Sequence, residues 1–397
     1  MMANNNKLGF DESVGVTRWT MNVIGLWTLD ERRDLQTRFR SLLPAFLILF
    51  FIVIPQTRKA TLAHDDLNLM LEILTTADII EGICLLKIFG LWYNKADLKK
   101  LVIQISEDWT HTNNDEQGIM WSNARLSKFV CLFCISSSSG SVLTHAIVFL
   151  VTNVGANETR SLFLISQFPF NTQHSPVYEI VCFCQFAGAL LSTFIFSSFD
   201  GFFVFSILHF SSQLSNLNIR IRSLTEKTSG DKCQFVESLK SVVKHHQHLI
   251  SYTDIIEYNF NKIFLVQIFA TSIVLCLQGY QFVMIISESG TKLLTSLIFI
   301  LVFTTGNVLS LFMYCYIAEI IRNESQRLLR AVYEMKWYTL PAKDSCLLLI
   351  VMCRLKMPVE ITVGKFAPFS LEYFASVVKT SVGYLSVLLA VRNKIND

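Results

Sequence analysis

Residues 179–209, EIVCFCQFAGALLSTFIFSSFDGFFVFSILH, decide the class of this protein. Between Glu179 and Asp200 no side chain is charged, and a helix needs about 20 consecutive apolar residues to cross a bilayer. Six further stretches approach that length, at 41–57, 69–93, 129–152, 262–287, 293–320 and 366–391. The chain as a whole agrees. Its 397 residues are 52% hydrophobic and 16% charged, with a mean hydropathy of +0.43, too apolar for a soluble globular fold of this size. The expected fold is an all-α membrane protein with seven transmembrane helices.

The first apolar run begins only after Arg38 and Arg40, so the polar start MMANNNKLGFDES reads as a tail before an uncleaved first helix, and no signal peptide is expected. Orientation follows from Lys and Arg, which cytoplasmic loops retain during insertion. With the N-terminus in the cytosol, the outer segments hold only Arg58, Lys59, Arg160, Lys292, Arg392 and Lys394 of the 34 basic residues. The C-terminus is then extracellular. The resulting division is a cytosolic segment 1–40, spans one to four in 41–209, a cytosolic helical extension 210–262, spans five and six in 263–320, cytosolic anchor helices 321–365, a last span 366–391 and an extracellular tail 392–397. The sequon Asn157-Glu158-Thr159 falls outside in this topology, where glycosylation is possible, whereas Asn323-Glu324-Ser325 falls inside. A G-protein-coupled receptor has the opposite orientation. Neither an Asp-Arg-Tyr triplet after the third span nor an Asn-Pro-x-x-Tyr in the seventh is present.

The segment 233–262 is patterned. Phe235, Leu239, Val242, His246, Leu249, Thr253, Ile256 and Phe260 alternate spacings of four and three, so the fifth span should run on as a helix beyond the membrane with a packed seam. The short apolar run Leu347–Cys353 is too brief to cross and reads as a buried or interfacial helix of the same platform. His245, His246 and His248 lack a carboxylate or thiol to complete a metal set and read as solvated or packed histidines. Cys131 and Cys134 sit in an apolar helix as buried small residues, and no extracellular disulfide is expected. Glu72, Asp78, Glu81, Asp200 and Lys379 lie within spans, where ionisable groups face protein or water. In the last span Thr380, Gly383, Tyr384, Val387 and Val391 share one helical stripe, a narrow face that could line a pore. No phosphate loop, His-Glu-x-x-His, Gly-x-Ser-x-Gly or internal repeat is found, so an enzyme and a cofactor are not expected. A net charge of +3 without a basic stripe gives no reason to expect nucleic acid.

An ordered series of short features runs through the C-terminal third: Tyr314-Cys315, Glu324-Ser325, Trp337, Met357-Pro358, Gly364-Lys365-Phe366, Phe369-Ser370-Leu371-Glu372-Tyr373-Phe374 and Thr380-Ser381. Asp200, His209 and Gln213-Leu214 at the end of the fourth span, and Gly25-Leu26-Trp27 near the start, extend it; where such sequences often have Pro after that Trp, this one has Thr28. Together they resemble the insect odorant receptor family. The resemblance implies a subunit of a heterotetrameric, non-selective cation channel in the plasma membrane of an olfactory sensory neuron, in which a variable subunit binds odorant beside a shared co-receptor. The co-receptor carries a large insertion between spans four and five that is missing here, so the chain resembles the tuning subunit. Its implied partners are the co-receptor, a small apolar odorant and membrane lipid.

The resemblance also implies that Val387 and Val391 are gate positions and that the ligand pocket lies in the outer halves of spans two to six. Depth and helical face then select Thr75 and Asp78, the group Ser137, Gly140, Ser141, Thr144 and His145, the pair Phe186 and Leu190, the pair Tyr280 and Met284, and Phe299 with Phe303 as an aromatic-rich lining for volatile or lipid-like ligands. Gustatory receptors of the same superfamily usually carry Thr-Tyr and then Gln-Phe in the last span, and this chain lacks the Gln-Phe. A transporter has only the span count in its favour.

Overall fold

The computed structural model describes residues 2–27, 29, 35–110, 112, 114–153, 160–227, 232–287 and 293–396. Backbone in hydrocarbon finds no water to bond, so a spanning segment must satisfy its own N–H and C=O groups, and helices do so locally. The elements are α1 (Met2–Val23), α2 (Leu35–Leu47), α3 (Ile54–Leu62), α4 (Leu67–Ile73), α5 (Ile79–Tyr93), α6 (Lys95–Thr110), α7 (Asn114–Asn153), α8 (Val177–Lys227), α9 (Lys232–Ser287), α10 (Leu293–Glu334), α11 (Ala342–Leu355), the strand pair β1 (Thr362–Val363) and β2 (Ala367–Pro368), and α12 (Leu371–Asn396). Six helices among the described residues are long and apolar enough to cross a membrane: Phe39–Leu62, Glu116–Val151, Val177–Leu224, Gln234–Ile286, Ser296–Thr339 and Leu371–Arg392. The remaining span is helical from α4 through α5, but Glu72, Asp78, Glu81 and Lys87 make it too charged to stand out by composition.

Two π-helical turns interrupt the first two spans, at Ile48–Val53 and Leu74–Asp78. The first has a visible cause. Pro55 has no N–H to give the carbonyl four residues back, and the Phe51 carbonyl instead accepts from Gln185 Nε2 of α8 at 3.3 Å. In the second turn the Thr75 hydroxyl donates to the Leu71 carbonyl at 2.8 Å and accepts from Gln281 Nε2 at 2.8 Å, tying span two to span five.

The polar N-terminus is not a tail but the helix α1, packed on α7 and α8. Phe10, Val14, Thr17, Met21 and Ile24 repeat at three- and four-residue intervals, and Val14, Met21 and Ile24 are wholly buried. The signal was a helical period carried by few apolar residues, which an average over the segment hides. Likewise α6 forms between the second and third apolar runs, burying Leu98, Leu101, Val102 and Ile105. Helices α7, α8 and α10 all run beyond the apolar windows at their Lys- and Arg-rich ends, as α9 does over its 56 residues. Along α9 the seam residues Phe235, Leu239, Val242, Leu249, Thr253, Ile256 and Phe260 are buried. His245 lies beside this seam, where burial and then Arg220 hold its pKa down to about 4.

The last helix begins at Leu371 rather than 366, because 362–368 form a hairpin. Gly364 and Lys365 both have positive φ, 60° and 62°, as the central pair of a tight hairpin turn demands. A side chain at Gly364 would also strike Leu265, since an ideal Cβ lies 2.7 Å from Leu265 Cδ2. Glu257 of α9 grips this hairpin through the Thr362 N–H at 2.5 Å and the Thr362 hydroxyl at 3.0 Å.

The centre of the molecule is aromatic. Phe199, Phe203, Phe260, Phe264, Tyr314 and Phe369 form a continuous stack contributed by α8, α9, α10 and the entry to α12, with Phe203 and Phe264 edge-to-face at 4.7 Å. Phe264 is fully buried and touches all five of the others. Phe264→Ala should therefore cost about 3–5 kcal/mol through the cavity it leaves. Val266→Ala, at a position 45% exposed in this chain, should cost far less. Thermal melting of the two variants in detergent checks the contrast, and equal melting temperatures would contradict it.

Candidate functional site

Spans two to six do not close completely on one another. They leave a cavity of about 160 Å³ between the second π-turn with α5 and helices α7, α8, α9 and α10. Small side chains on α7 keep it open: Ser137, Ser138 and Ser141 stand where larger groups would fill it, and Gly306 of α10 lets the two helices approach. The π-turn brings Thr76 and Ala77 to the lining. Phe299 and Phe303, stacked at 5.5 Å, supply aromatic wall from α10.

One end is closed by the connection between α7 and α8. Phe163 and Leu164 line the cavity, and their backbone is held by side chains from the bundle. Gln185 Oε1 accepts from the Leu164 N–H at 3.0 Å, and Gln185 Nε2 donates to Ser166 Oγ at 2.8 Å. His145 Nε2 lies 2.9 Å from the Phe163 carbonyl, which only accepts, so that ring nitrogen carries the proton. The imidazole also packs edge-on to Phe163 at 5.0 Å and against Phe299 at 5.1 Å. The segment 161–170, SLFLISQFPF, is more apolar than a solvated loop warrants, and that excess is the signal by which it could have been recognised as a cover.

The other end is polar. Asp200 Oδ1 accepts from Lys87 Nζ at 2.6 Å, both side chains being buried. Lys87 lies 4.2 Å over the Phe196 ring and 5.0 Å over Phe199, where the ring faces add a favourable field for the ammonium. Gln267 Nε2 donates to the Tyr314 hydroxyl at 2.8 Å. Glu81 accepts from Ser192 Oγ at 2.9 Å. Glu81, Asp200, Ser192, Gln267 and Tyr314 all border the cavity, directly above the aromatic stack.

Of the residues selected from sequence, Ser137, Ser141, His145, Phe299 and Phe303 come together on this cavity. The other eight stand elsewhere. Thr75 faces Gln281, Asp78 accepts from Thr57 Oγ1 at 2.9 Å, and Tyr280 lies under Arg392 at 6.0 Å. Phe186 packs behind Phe163 at 5.6 Å, Thr144 donates to the Gly140 carbonyl of its own helix, and Gly140, Leu190 and Met284 are outside the lining. Depth along a span was readable, whereas the rotation of each helix was not. Thr380, Gly383, Tyr384, Val387 and Val391 form an exposed face of α12, with Val387 61% accessible, while Val377 and Ser381 beside it are buried. Asn157 lies outside the described residues. Nine cysteines among the described residues are free thiols.

A sequence profile described as 7tm Odorant receptor matches residues 70–382. The chain is 25% identical to odorant receptor 94a of Drosophila melanogaster over 319 residues, 79% of each chain. It is 24% identical to odorant receptor 13a of the same organism over 240 residues, 56% of each chain. The match to that relative thus spans about half of its length. The fold is similar to the insect olfactory receptor OR5 from Machilis hrabei in complex with eugenol, with a TM-score of 0.78 at 17% identity, covering 98% of this chain and 100% of that one.

The buried pair yields a test. Lys87→Ala strands Asp200 without its counter-ion and should destabilise by about 3–5 kcal/mol, whereas replacing both partners with apolar residues, Lys87→Met with Asp200→Leu, should cost much less. Detergent melting temperatures of the two variants measure the difference, and a double variant as unstable as the single one would contradict it.

Proposed function

This chain belongs to the 7tm odorant receptor family, and on that premise we propose that it is the ligand-tuned subunit of an odour-gated, non-selective cation channel, working with a co-receptor in a heterotetramer. The observation that carries the reading is the cavity among spans two to six, closed at one end by Phe163 and Leu164 and walled by Phe299 and Phe303. Its volume of about 160 Å³ is close to that of an engineered apolar cavity of about 150 Å³ that binds benzene. A ligand built on one small ring or a short aliphatic chain fits, in keeping with the eugenol held by the similar receptor.

The second support is α12. A helix that leaves Tyr384, Val387 and Val391 more than half exposed in one chain has a face for neighbouring subunits or a pore, and a ring of valines is a hydrophobic constriction that gates by excluding water. The path between the two sites is short. Tyr314 lines the cavity and belongs to the aromatic stack, which continues through Phe264 to Phe369 at the entry to α12. The N-terminus lies in the cytosol in this reading, as the basic residues indicate. Gating is differential binding: a ligand that fits the open packing better than the closed one shifts the population by that difference and no more.

Currents recorded from cells expressing the chain with and without a co-receptor test the assignment. An odour-evoked current is expected only with both, and silence across a broad odorant panel despite surface expression of both would sink it. For the gate, Val387→Ala combined with Val391→Ala should widen the constriction and raise resting conductance in the co-expressing cells. An unchanged resting conductance would remove these residues from the gate.

A further inference from the structure

The cavity contains more hydrogen-bond acceptors than its own walls satisfy. Glu81 is 5% exposed and its Oε2 has no hydrogen-bond partner. Its other oxygen shares one hydroxyl. Ser192 Oγ is 2.9 Å from Glu81 Oε1 and 2.8 Å from the Ala189 carbonyl, and a single proton serves one of them at a time. Gln267, 6% exposed, is the second case: its amide nitrogen is committed to Tyr314, and its Oε1 is unpartnered. Both side chains border the same cavity.

Charge points the same way. The acidic groups on the lining are Glu81 and Asp200, and Asp200 already has Lys87. No ion pair among the described residues engages Glu81, and no Lys or Arg borders the cavity. An unpaired acceptor in a buried site is costly, and the space from which a donor can reach these two residues is the cavity they share.

We infer that the ligand of this cavity carries an O–H or N–H donor, with Glu81 as its polar anchor, Gln267 as the second acceptor and Phe299 and Phe303 against its apolar body. The inference rests on the cavity being the odorant site. An alcohol or phenol donates its hydroxyl proton to the carboxyl oxygen. An amine either donates an N–H or arrives as an ammonium that pairs with the carboxylate. Ligands with the same shape and no donor leave both acceptors unmet, and a buried acceptor left without its hydrogen bond distinguishes the two by about tenfold or more.

Three probes of equal heavy-atom count separate these outcomes: benzyl alcohol, benzylamine and ethylbenzene, applied to cells co-expressing the chain and a co-receptor. Benzyl alcohol or benzylamine is expected to reach half-maximal current at a concentration about tenfold or more below ethylbenzene. In Glu81→Leu that ratio should fall to about one, and in Gln267→Leu it should shrink. Glu81→Gln keeps a carbonyl acceptor but cannot ionise, so it should retain the alcohol preference and lose any extra potency of the amine over the alcohol. Surface labelling of each variant separates a lost site from a misfolded chain, and Gln267→Leu carries the test if Glu81→Leu fails to reach the surface. Equal potency of all three probes in the wild type, or an unchanged ratio in surface-expressed Glu81→Leu and Gln267→Leu, overturns the inference. Odour-evoked currents to donor-free ligands alone would overturn it while leaving the receptor assignment standing, and only silence to the whole panel touches that assignment.

Discussion

A polypeptide in hydrocarbon has nothing but itself to satisfy its peptide groups, and almost every feature of this molecule follows from that. The spans are helices because helices close their hydrogen bonds locally. Where the local ladder fails, a side chain repairs it: Pro55 leaves the Phe51 carbonyl without its usual donor, and Gln185 supplies one from α8. That same Gln185 holds Leu164 and Ser166. A defect in the first span is therefore coupled, through one amide, to the cover of the cavity.

Helices that do not need one another for backbone bonding can pack imperfectly, and the imperfection is where a ligand site can form. Toward one end the bundle is sealed by Phe199, Phe203, Phe260, Phe264 and Phe369, wholly buried and in mutual ring contact. Toward the other, serines on α7 and the π-turn in span two leave space unfilled. The boundary between the two regimes is polar, with Lys87 and Asp200 compensating one another and Glu81 and Gln267 holding acceptors in reserve. The cavity stands over the aromatic stack, and the stack reaches the entry to α12, so ring contacts join the cavity wall to the last helix.

Much of this was legible in the residues. The spans, the unbroken run of α9 from Lys232 to Ser287 and the exposed stripe of α12 come from hydrophobic period and length, which a helix writes directly into its sequence. The N-terminal helix was harder, because Val14, Met21 and Ile24 carry its seam within a polar composition. The cavity was half legible. Ser137, Ser141, His145, Phe299 and Phe303 could be chosen by depth, but depth does not say how each helix is turned about its axis, and a rotation of one residue's angular step moves a side chain from cavity to neighbour. Thr75 and Tyr280 show this, each spent on a contact between spans.

The sequence by itself determined that the chain crosses a membrane as helices, how many times, and which family pattern it carries, because those properties are local: length, period and short ordered motifs. The pairing of Lys87 with Asp200 across 113 positions, the cover made by Phe163 and Leu164, and the unmet oxygens of Glu81 and Gln267 were decided only by the tertiary structure. They depend on distances between helices and on the rotation of each, and no run of consecutive residues encodes either.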